Sequence, residues 1–403
     1  MNYKSILNLL GILLGIFSLS FIPPLILTYV YNESGSEIFL YSFLFFCILG
    51  VSIWAATRQK SLPLNISDGF VITTLFWVVL ACAGSVPFYF FGLSVSDAIF
   101  ESASGITTTG ATTIVGLDNL PKSILLYRQL LQWIGGMGLI VLAVAVMPAL
   151  GIGGGQLYKM ELPGSHGNQK LTPKITDSAK ALWKIYVGLT VACATLYLLS
   201  GMNFFDSIAH SLSTVAGGGF STHDGSIGFF DSALIETVCI IFMLLSAASF
   251  AVHYAAIFGG KPLKYFYDSE FRFFLSVVLL IIAVSLIVHI VSNSYADIFS
   301  AFGATVFHVV STVTTSGFTT ENFSLWPGFL PYLLLVGAFM GACSQSVGGG
   351  IKAWRVLIMI NQAYKEIIKT IHPNAVLSSK IGTKVIDAKI AEKVWGFFSI
   401  YVF

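Results

Sequence analysis

The stretch HVVSTVTTSGFTT, residues 308–320, gathers serines and threonines around one glycine, Gly317, between two apolar runs of membrane length. Two further stretches align with it without gaps: ESASGITTTGATT at 101–113 and HSLSTVAGGGFST at 210–222. Glu101, His210 and His308 share the first position, and Ser104, Ser213 and Ser311 the fourth. Gly110, Gly219 and Gly317 share the tenth, and Thr113, Thr222 and Thr320 the last. Each copy follows an apolar span and a short helical segment and precedes another span. Self-similarity at this level defines a repeat architecture.

The surroundings of the repeat define the protein class. Of 403 residues 56% are hydrophobic and only 10% charged, against roughly a quarter charged in a soluble domain. The chain reads as an all-α polytopic membrane protein, which excludes a soluble enzyme. A net charge of +2 selects no class of partner. Cys47, Cys82, Cys193, Cys239 and Cys343 lie in apolar surroundings without metal-ligand or disulfide spacing and read as small buried hydrophobes. Spans of about 20 apolar residues are expected at 7–29, 38–56, 69–91, 125–150, 181–200, 233–258, 273–291 and 331–371. The last of these is interrupted, and another span begins near Val394. The first carries Pro23 and Pro24 and no small-residue cleavage site, so it reads as a span rather than a leader.

Lysine and arginine orient the spans. Alternation of the spans places 19 of the 21 on one side, leaving Lys122 and Arg128 opposite. The N-terminus is therefore expected in the cytoplasm and the three hydroxyl-rich loops at the outer side. Repeat boundaries follow: 1–60 for two extra N-terminal helices, then 61–157, 158–262 and 263–372 for three helix–loop–helix units. Residues 373–403 read as a linker and the start of a fourth unit.

Non-helical backbone at membrane depth is costly unless it is buried in protein or lines water. Glycine allows backbone angles that turn carbonyls one way. Loops of this kind around an axis would replace the water shell of a monovalent cation with oxygen dipoles, and the C-terminal ends of the preceding short helices would favour positive charge. Asp97 and Asp206, four residues before Glu101 and His210, suit the N-caps of those helices. In the third copy Ala304 takes that place and Asp297 lies further back, which suggests an earlier start. The plainer reading, small residues serving helix packing, accounts for one copy better than for three on the same side.

The three stretches resemble the pore loops of the Trk/Ktr/HKT superfamily of potassium transporters, more narrowly its TrkH/TrkG-type membrane subunit. QWIGGMGLIVLAVAVMP at 132–148 resembles the second helix of that family's first repeat. LYKMELPG at 157–164 and KLTPKI at 170–175 resemble the cytoplasmic loop after it. GGFSTHD at 218–224 resembles the second pore loop and GGGIKAWR at 348–355 the interrupted helix. The resemblance implies helix–pore loop–helix units around one pore, potassium-channel-like, with two extra N-terminal helices. It implies K+ uptake across the inner membrane, a homodimer, and a cytosolic nucleotide-binding regulatory subunit of the TrkA type. No cofactor is expected; K+ is the cargo. Coupling to H+ or Na+ stays open.

On this reading the K+-binding filter comprises Thr107, Thr108, Thr109 and Gly110, then Ala216, Gly217, Gly218 and Gly219, then Thr314, Thr315, Ser316 and Gly317. The filter glycines are separated by 109 and 98 residues, so a fourth is expected near position ~420, beyond the sequence, and the chain reads as incomplete. The stretch GACSQSVGGG at 341–350 should break its helix, and the resemblance makes it a gate loop built from Gly341, Cys343, Ser344, Gln345, Ser346, Gly348, Gly349 and Gly350. A packing kink is the plainer alternative. Lys352 and Arg355 either hold that loop, meet the partner, or serve as cytoplasmic anchors. Arg128 either pairs with a loop carboxylate or snorkels.

Glu101, His210 and His308 read as satisfied polar residues of separate short helices rather than one ligand cluster, with proton coupling as the alternative. The GIGGG run at 151–155 lacks the ending of a phosphate loop and reads as a helix terminus. An intramembrane hydrolase would need a serine with a histidine base. Ser221 and His223 are the nearest local pair and lie too close in sequence for it. A secondary transporter with inverted repeats fits less well, because all three loops fall on one side.

Overall fold

The computed structural model describes residues 2–58, 66–146, 175–374, 380–382, 384–386 and 388–403. The 151–155 and 157–164 stretches, and all of KLTPKI but Ile175, lie outside the described residues, as do the repeat boundaries at 60–61 and 157–158. Among the described residues, apart from one hairpin pairing Lys380–Ile381 with Lys384–Val385, the regular structure is helical. Among the described residues five helices are long and apolar enough to cross a membrane: Tyr3–Val30, Ser36–Thr57, Ser67–Phe90, Lys180–Leu199 and Ser269–Val291. The expected 125–150 span is represented by the Lys122–Val146 helix. The chain is grouped into two compact units. One runs through Ser246 and includes Ser316–Glu321; the other holds Ala247–Thr315 and Asn322–Phe403.

In the first unit the N-terminal span is nearly continuous. A 3₁₀ turn at Leu19–Phe21 joins Tyr3–Ser18 to Ile22–Val30, whose prolines sit in the first turn, where a missing N–H costs nothing. This span packs along Ser36–Thr57 through glycines. A Cβ on Gly50 would stand 2.6 Å from Gly15 N and 2.8 Å from Gly11 O, so only glycine permits this crossing. Behind it lies an aromatic core in which Tyr127 meets Phe21, Phe39 and Phe88 at ring separations of 5.6, 5.6 and 5.2 Å. The buried Tyr127 hydroxyl donates to Gly84 O at 2.9 Å, satisfying a polar group that would otherwise be costly there. The helices that carry the first two loops, Val95–Ile106 and Phe204–Ala216, pack against Lys122–Val146.

The second unit is built on Ser269–Val291, Ile298–Val313, Leu330–Met340 and Ala353–Ile371. A small core of Trp354, Ile358, Ile381, Ile386, Ala391 and Val394 joins the last of these to the hairpin and to Ala388–Val402. That terminal helix starts six residues before the expected Val394. The expected single span at 233–258 is corrected: helix runs over Ala233–Ala247, stops, and restarts as Phe250–Ile257. The buried Ser249 starts the second piece, its Oγ accepting from Ala251 N at 3.3 Å, and serine's preference for capping over helix interiors explains the break. Cys193, Cys239 and Cys343 are buried as expected, but Cys82 is exposed and Cys47 only half-buried, because apolar surroundings in a membrane helix include its outward face.

Candidate functional site

Three short helices deliver the three loops. The first and second, Val95–Ile106 and Phe204–Ala216, are capped one turn earlier than the aspartates suggested. Ser94 Oγ accepts from Asp97 N at 3.1 Å and Asn203 Oδ1 from Asp206 N at 2.9 Å. Asp97 and Asp206 are thus third-position partners that bond back to the cap side chain, Ser94 Oγ donating to Asp97 Oδ2 at 2.7 Å and Asn203 Nδ2 to Asp206 Oδ2 at 2.6 Å. The third helix, Ile298–Val313, starts earlier, capped by Asp297 Oδ1 from Phe299 N and Ser300 N at 2.9 Å each.

The helices end at Ile106, Ala216 and Val313, so Ala216 is the last helical residue rather than a loop residue. From there the three backbones repeat one conformation. The eighth position is left-handed in every copy: Thr108 at φ 56°, Gly217 at 66° and Thr315 at 61°. So is the tenth: Gly110 at 78°, Gly219 at 77° and Gly317 at 85°. Threonine is β-branched, and positive φ is a genuine outlier for it. Its appearance at equivalent places in two loops marks stored strain of roughly 1–3 kcal/mol each.

In the first unit the loops also touch in a repeated way. A Cβ on Gly110 would land on the carbonyl oxygen of Gly218, and one on Gly219 on that of Ser316. The tenth position of one loop thus abuts the ninth position of the next, twice in the same sense. Among the described residues a Cβ on Gly317 would meet nothing within 4 Å. The second loop is mostly buried, whereas Thr107, Thr109 and Ala111 to Thr113 of the first are exposed. The third loop is tied to the turn after the second, Thr319 O accepting from Gly228 N at 3.2 Å and Thr319 N donating to Ser226 Oγ at 3.2 Å.

In the first two copies the first-position residue holds the returning loop. Glu101 accepts from Thr112 Oγ1 at 2.9 Å and Thr113 N at 3.3 Å. His210 Nε2 meets Ser221 Oγ at 2.9 Å, while its Nδ1 stands 3.0 Å from Asp206 O. A carbonyl only accepts, so Nδ1 carries the proton and Nε2 accepts from Ser221. His308 Nδ1 likewise bonds to Ala304 O at 2.9 Å. These residues occupy three helices, and among the described residues no group of three His, Cys, Asp or Glu is placed to hold a metal ion. Ser221 meets His223 only through the backbone amide, at 3.1 Å, so the local pair weighed for a hydrolase is not a nucleophile with its base.

Arg128 does not snorkel but pairs with a carboxylate, Glu101, which opens the 101–113 stretch and lies on its short helix. Its Nε lies 2.7 Å from Glu101 Oε1 with both side chains fully buried. One turn on, Gln132 Nε2 donates to Gly218 O at 2.7 Å, and Oε1 accepts from Ser213 Oγ and Phe220 N at 2.6 and 3.1 Å. Sequence reading gave Gln132 and Glu270 no role and weighed His223 only as a partner of Ser221. His223 Nδ1 is 2.5 Å from Asp118 Oδ1 and Nε2 is 3.2 Å from Asp206 Oδ2, so the ring bridges two outer carboxylates.

In the second unit the 341–350 stretch breaks its helix as expected. Leu330–Met340 ends at Gly341, φ 69°, and helix resumes at Ala353. Gly341 and Gly350 lie back to back: a Cβ on either would come within 2.6 Å of the other's Cα. Half-buried Glu270 bonds to both ends, Oε1 accepting from Ser344 N at 2.5 Å and Trp354 N at 3.1 Å. Phe250 N donates to Gln345 O at 2.9 Å, Cys343 N to Ala247 O at 3.0 Å, and Ser346 Oγ to Cys343 O at 2.6 Å. Lys352 Nζ donates to Gly348 O and, at 3.4 Å, to Ser346 O. Arg355 bonds to Ile351 O at 3.3 Å and lies over the Phe397 ring at 3.9 Å. Gly349 N donates to Thr315 Oγ1 at 2.6 Å.

A multi-pass helical fold whose three polar loops share one backbone conformation, the first resting on the second and the second on the third, defines a polytopic membrane protein. The family model described as TrkH, cation transport protein, matches residues 34–403. The chain is 48% identical to the Trk system potassium uptake protein TrkH of Halomonas elongata, covering 100% of this chain and 84% of that protein. It is 39% identical to the Trk system potassium uptake protein TrkG of Escherichia coli K12, covering 99% and 83%. The crystal structure of the potassium transporter TrkH from Vibrio parahaemolyticus superposes with a TM-score of 0.90 at 44% identity, covering 100% of this chain and 84% of that one. The chain belongs to the TrkH family of cation transport proteins.

Proposed function

We propose that this chain is the membrane subunit of a K+ uptake system, not an enzyme, and that the three loops line its pore. The observation that carries this reading is the left-handed backbone at the eighth and tenth positions of all three loops. Such backbone turns successive carbonyls toward one side, where they can take the place of water around a dehydrated cation. Oxygens of 107–110, 216–219 and 314–317 are the ligands. Gly218 O is the exception: it accepts from Gln132 and serves as wall between two loops. The abutting step from Gly110 to Gly218 and from Gly219 to Ser316, taken once more, would set a further loop of the same kind against Gly317 and close the ring.

The 341–350 loop is the gate, lying where Thr315 and Gly349 meet, with Lys352 tethering it from within. The loops face outward and the N-terminus lies in the cytoplasm of a cell with this subunit in its inner membrane, supported by the lysine and arginine bias. The assembly is a homodimer with a cytosolic nucleotide-binding regulatory subunit, of which the Trk system names of the relatives support only that there are several components. The test is K+ uptake by the full-length protein in cells lacking other K+ uptake. Wild type restores uptake at low external K+, and Gly317→Ser lowers K+ preference over Na+. Unaltered preference and rate in that variant would remove the assignment.

A further inference from the structure

We propose that Arg128 and Gln132 are selectivity-positioning residues, fixing the lateral spacing of the first and second pore loops and with it the cation the filter prefers. This rests on the potassium-pore reading above. The two residues lie one helical turn apart on Lys122–Val146, on one face.

Arg128 reaches three targets with three nitrogens. Nε bonds to Glu101 on the first short helix at 2.7 Å, NH2 donates to Thr112 Oγ1 on the first loop at 3.1 Å, and NH1 donates to Ser221 O on the second loop at 3.1 Å. Its guanidinium lies 4.3 Å from the Phe220 ring centre, a cation–π contact on the second loop. Gln132 then fixes the second loop alone, through Ser213, Phe220 and Gly218. The chain of contacts closes on itself: Gln132 holds Gly218 O, and Gly218 O is the atom against which Gly110 rests.

Only a planar fork with several donors can span both loops in fixed geometry; a lysine in its place is a point charge. The brace belongs to one repeat. At the same offset from the loop the second repeat carries Thr237 and Ile241, and the third Leu335 and Phe339, none of which could bridge two loops this way. The pore wall between the first and second loops is therefore polar and pinned by a side-chain brace whose counterpart positions in the other repeats carry no such fork. Because preference among cations depends on how oxygens are spaced and held, the pinned wall is where that preference is set.

The test is the ratio of K+ to Na+ uptake by the full-length protein, normalised to its amount in the membrane. Arg128→Lys keeps a charge for Glu101 but loses the fork. Gln132→Met removes no charge and is the variant that decides where Arg128→Lys does not accumulate. Each is expected to lower the ratio by at least about ten-fold, equivalent to about 1.4 kcal/mol of differential stabilisation, while Arg128→Lys still conducts. Variants that reach the membrane with the wild-type ratio, losing only total uptake, would show a purely structural brace and overturn the proposal. A wild-type protein without preference for K+ would instead remove the pore reading, and the proposal with it.

Discussion

Thr315 Oγ1 accepts a hydrogen bond from the Gly349 amide at 2.6 Å, so a strained residue of the third loop holds the segment that interrupts the 331–371 helix. Beside it a Cβ on Gly348 would lie 2.8 Å from Thr314 O, so the two segments touch along their backbones. Thr315→Val deletes the acceptor at a cost of about 1 kcal/mol and is expected to raise resting K+ flux through the full-length protein. Thr315→Ser keeps the acceptor and should resemble wild type. Flux measured in vesicles separates the two; equal flux in all three proteins would detach this contact from gating.

The glycines of the tenth position should not be equally tolerant. Alanine at Gly110 or Gly219 meets both a left-handed backbone and a neighbouring carbonyl oxygen, whereas at Gly317 only the backbone resists within this chain. Strain alone costs about 1–2 kcal/mol. Gly110→Ala and Gly219→Ala are expected to lose more than that, melting below Gly317→Ala in detergent. A reversed order would count against the abutting of the loops.

Glu270 is the acceptor for both ends of the interrupted segment, at Ser344 N and Trp354 N. Glu270→Ala strands two backbone donors, each worth about 1–3 kcal/mol when buried and unpaired. Glu270→Gln retains a carbonyl acceptor and should fall between alanine and wild type in thermal melting. A glutamine variant no better than alanine would show that the carboxylate charge, rather than its acceptor geometry, holds the segment.

The His223 bridge makes stability depend on pH on the outer side. Both of its partners are carboxylates, so both ring nitrogens must donate and the imidazole is charged. Half-burial pulls its pKa down, but the hydrogen bonds to Asp206 and Asp118 outweigh that and leave it above the ordinary 6.5. The His223 hydrogen bond is the main cause holding Asp118 below its ordinary 3.8. The Phe229 ring stacks on His223 at 3.5 Å, His210 lies at 6.4 Å, and the Asp224 amide faces Asp118. A raised histidine stabilises fully below its unfolded value of 6.5 and loses that contribution as pH rises through the higher folded value. A lowered aspartate stabilises above 3.8 and loses its contribution as pH falls through the lower folded value. Melting temperature should therefore fall from about pH 6 to about pH 9 more steeply in wild type than in His223→Gln. Parallel curves would contradict the charged bridge.

Much of this was readable from residues that recur or that refuse helix. The register of the three loops was visible in their glycines, and the break at Gly341 in a run too small and polar for helix. The early start of the third short helix followed from Asp297. What escaped was set by partners far away in sequence. Arg128 meets Glu101 across 27 residues, Gln132 meets Gly218 across 86, and Glu270 meets Ser344 across 74, and no local pattern announces such pairs. Ser94 and Asn203 were missed as caps because the aspartates three residues later are equally good cap formers, and the choice between them is made by where the preceding turn ends. The break before Phe250 was hidden by Ala247 and Ala248, whose high helix propensity makes the run read as continuous.

The central claim is that backbone oxygens of the three loops hold the cation. The most direct measurement is anomalous diffraction from the full-length protein with Rb+ in place of K+. The account predicts Rb+ peaks on the axis beside the tenth-position glycines, Gly110, Gly219 and Gly317, lost in Gly219→Ala. Rb+ carried by the protein but bound away from these loops, with no peak among their carbonyls, would contradict it.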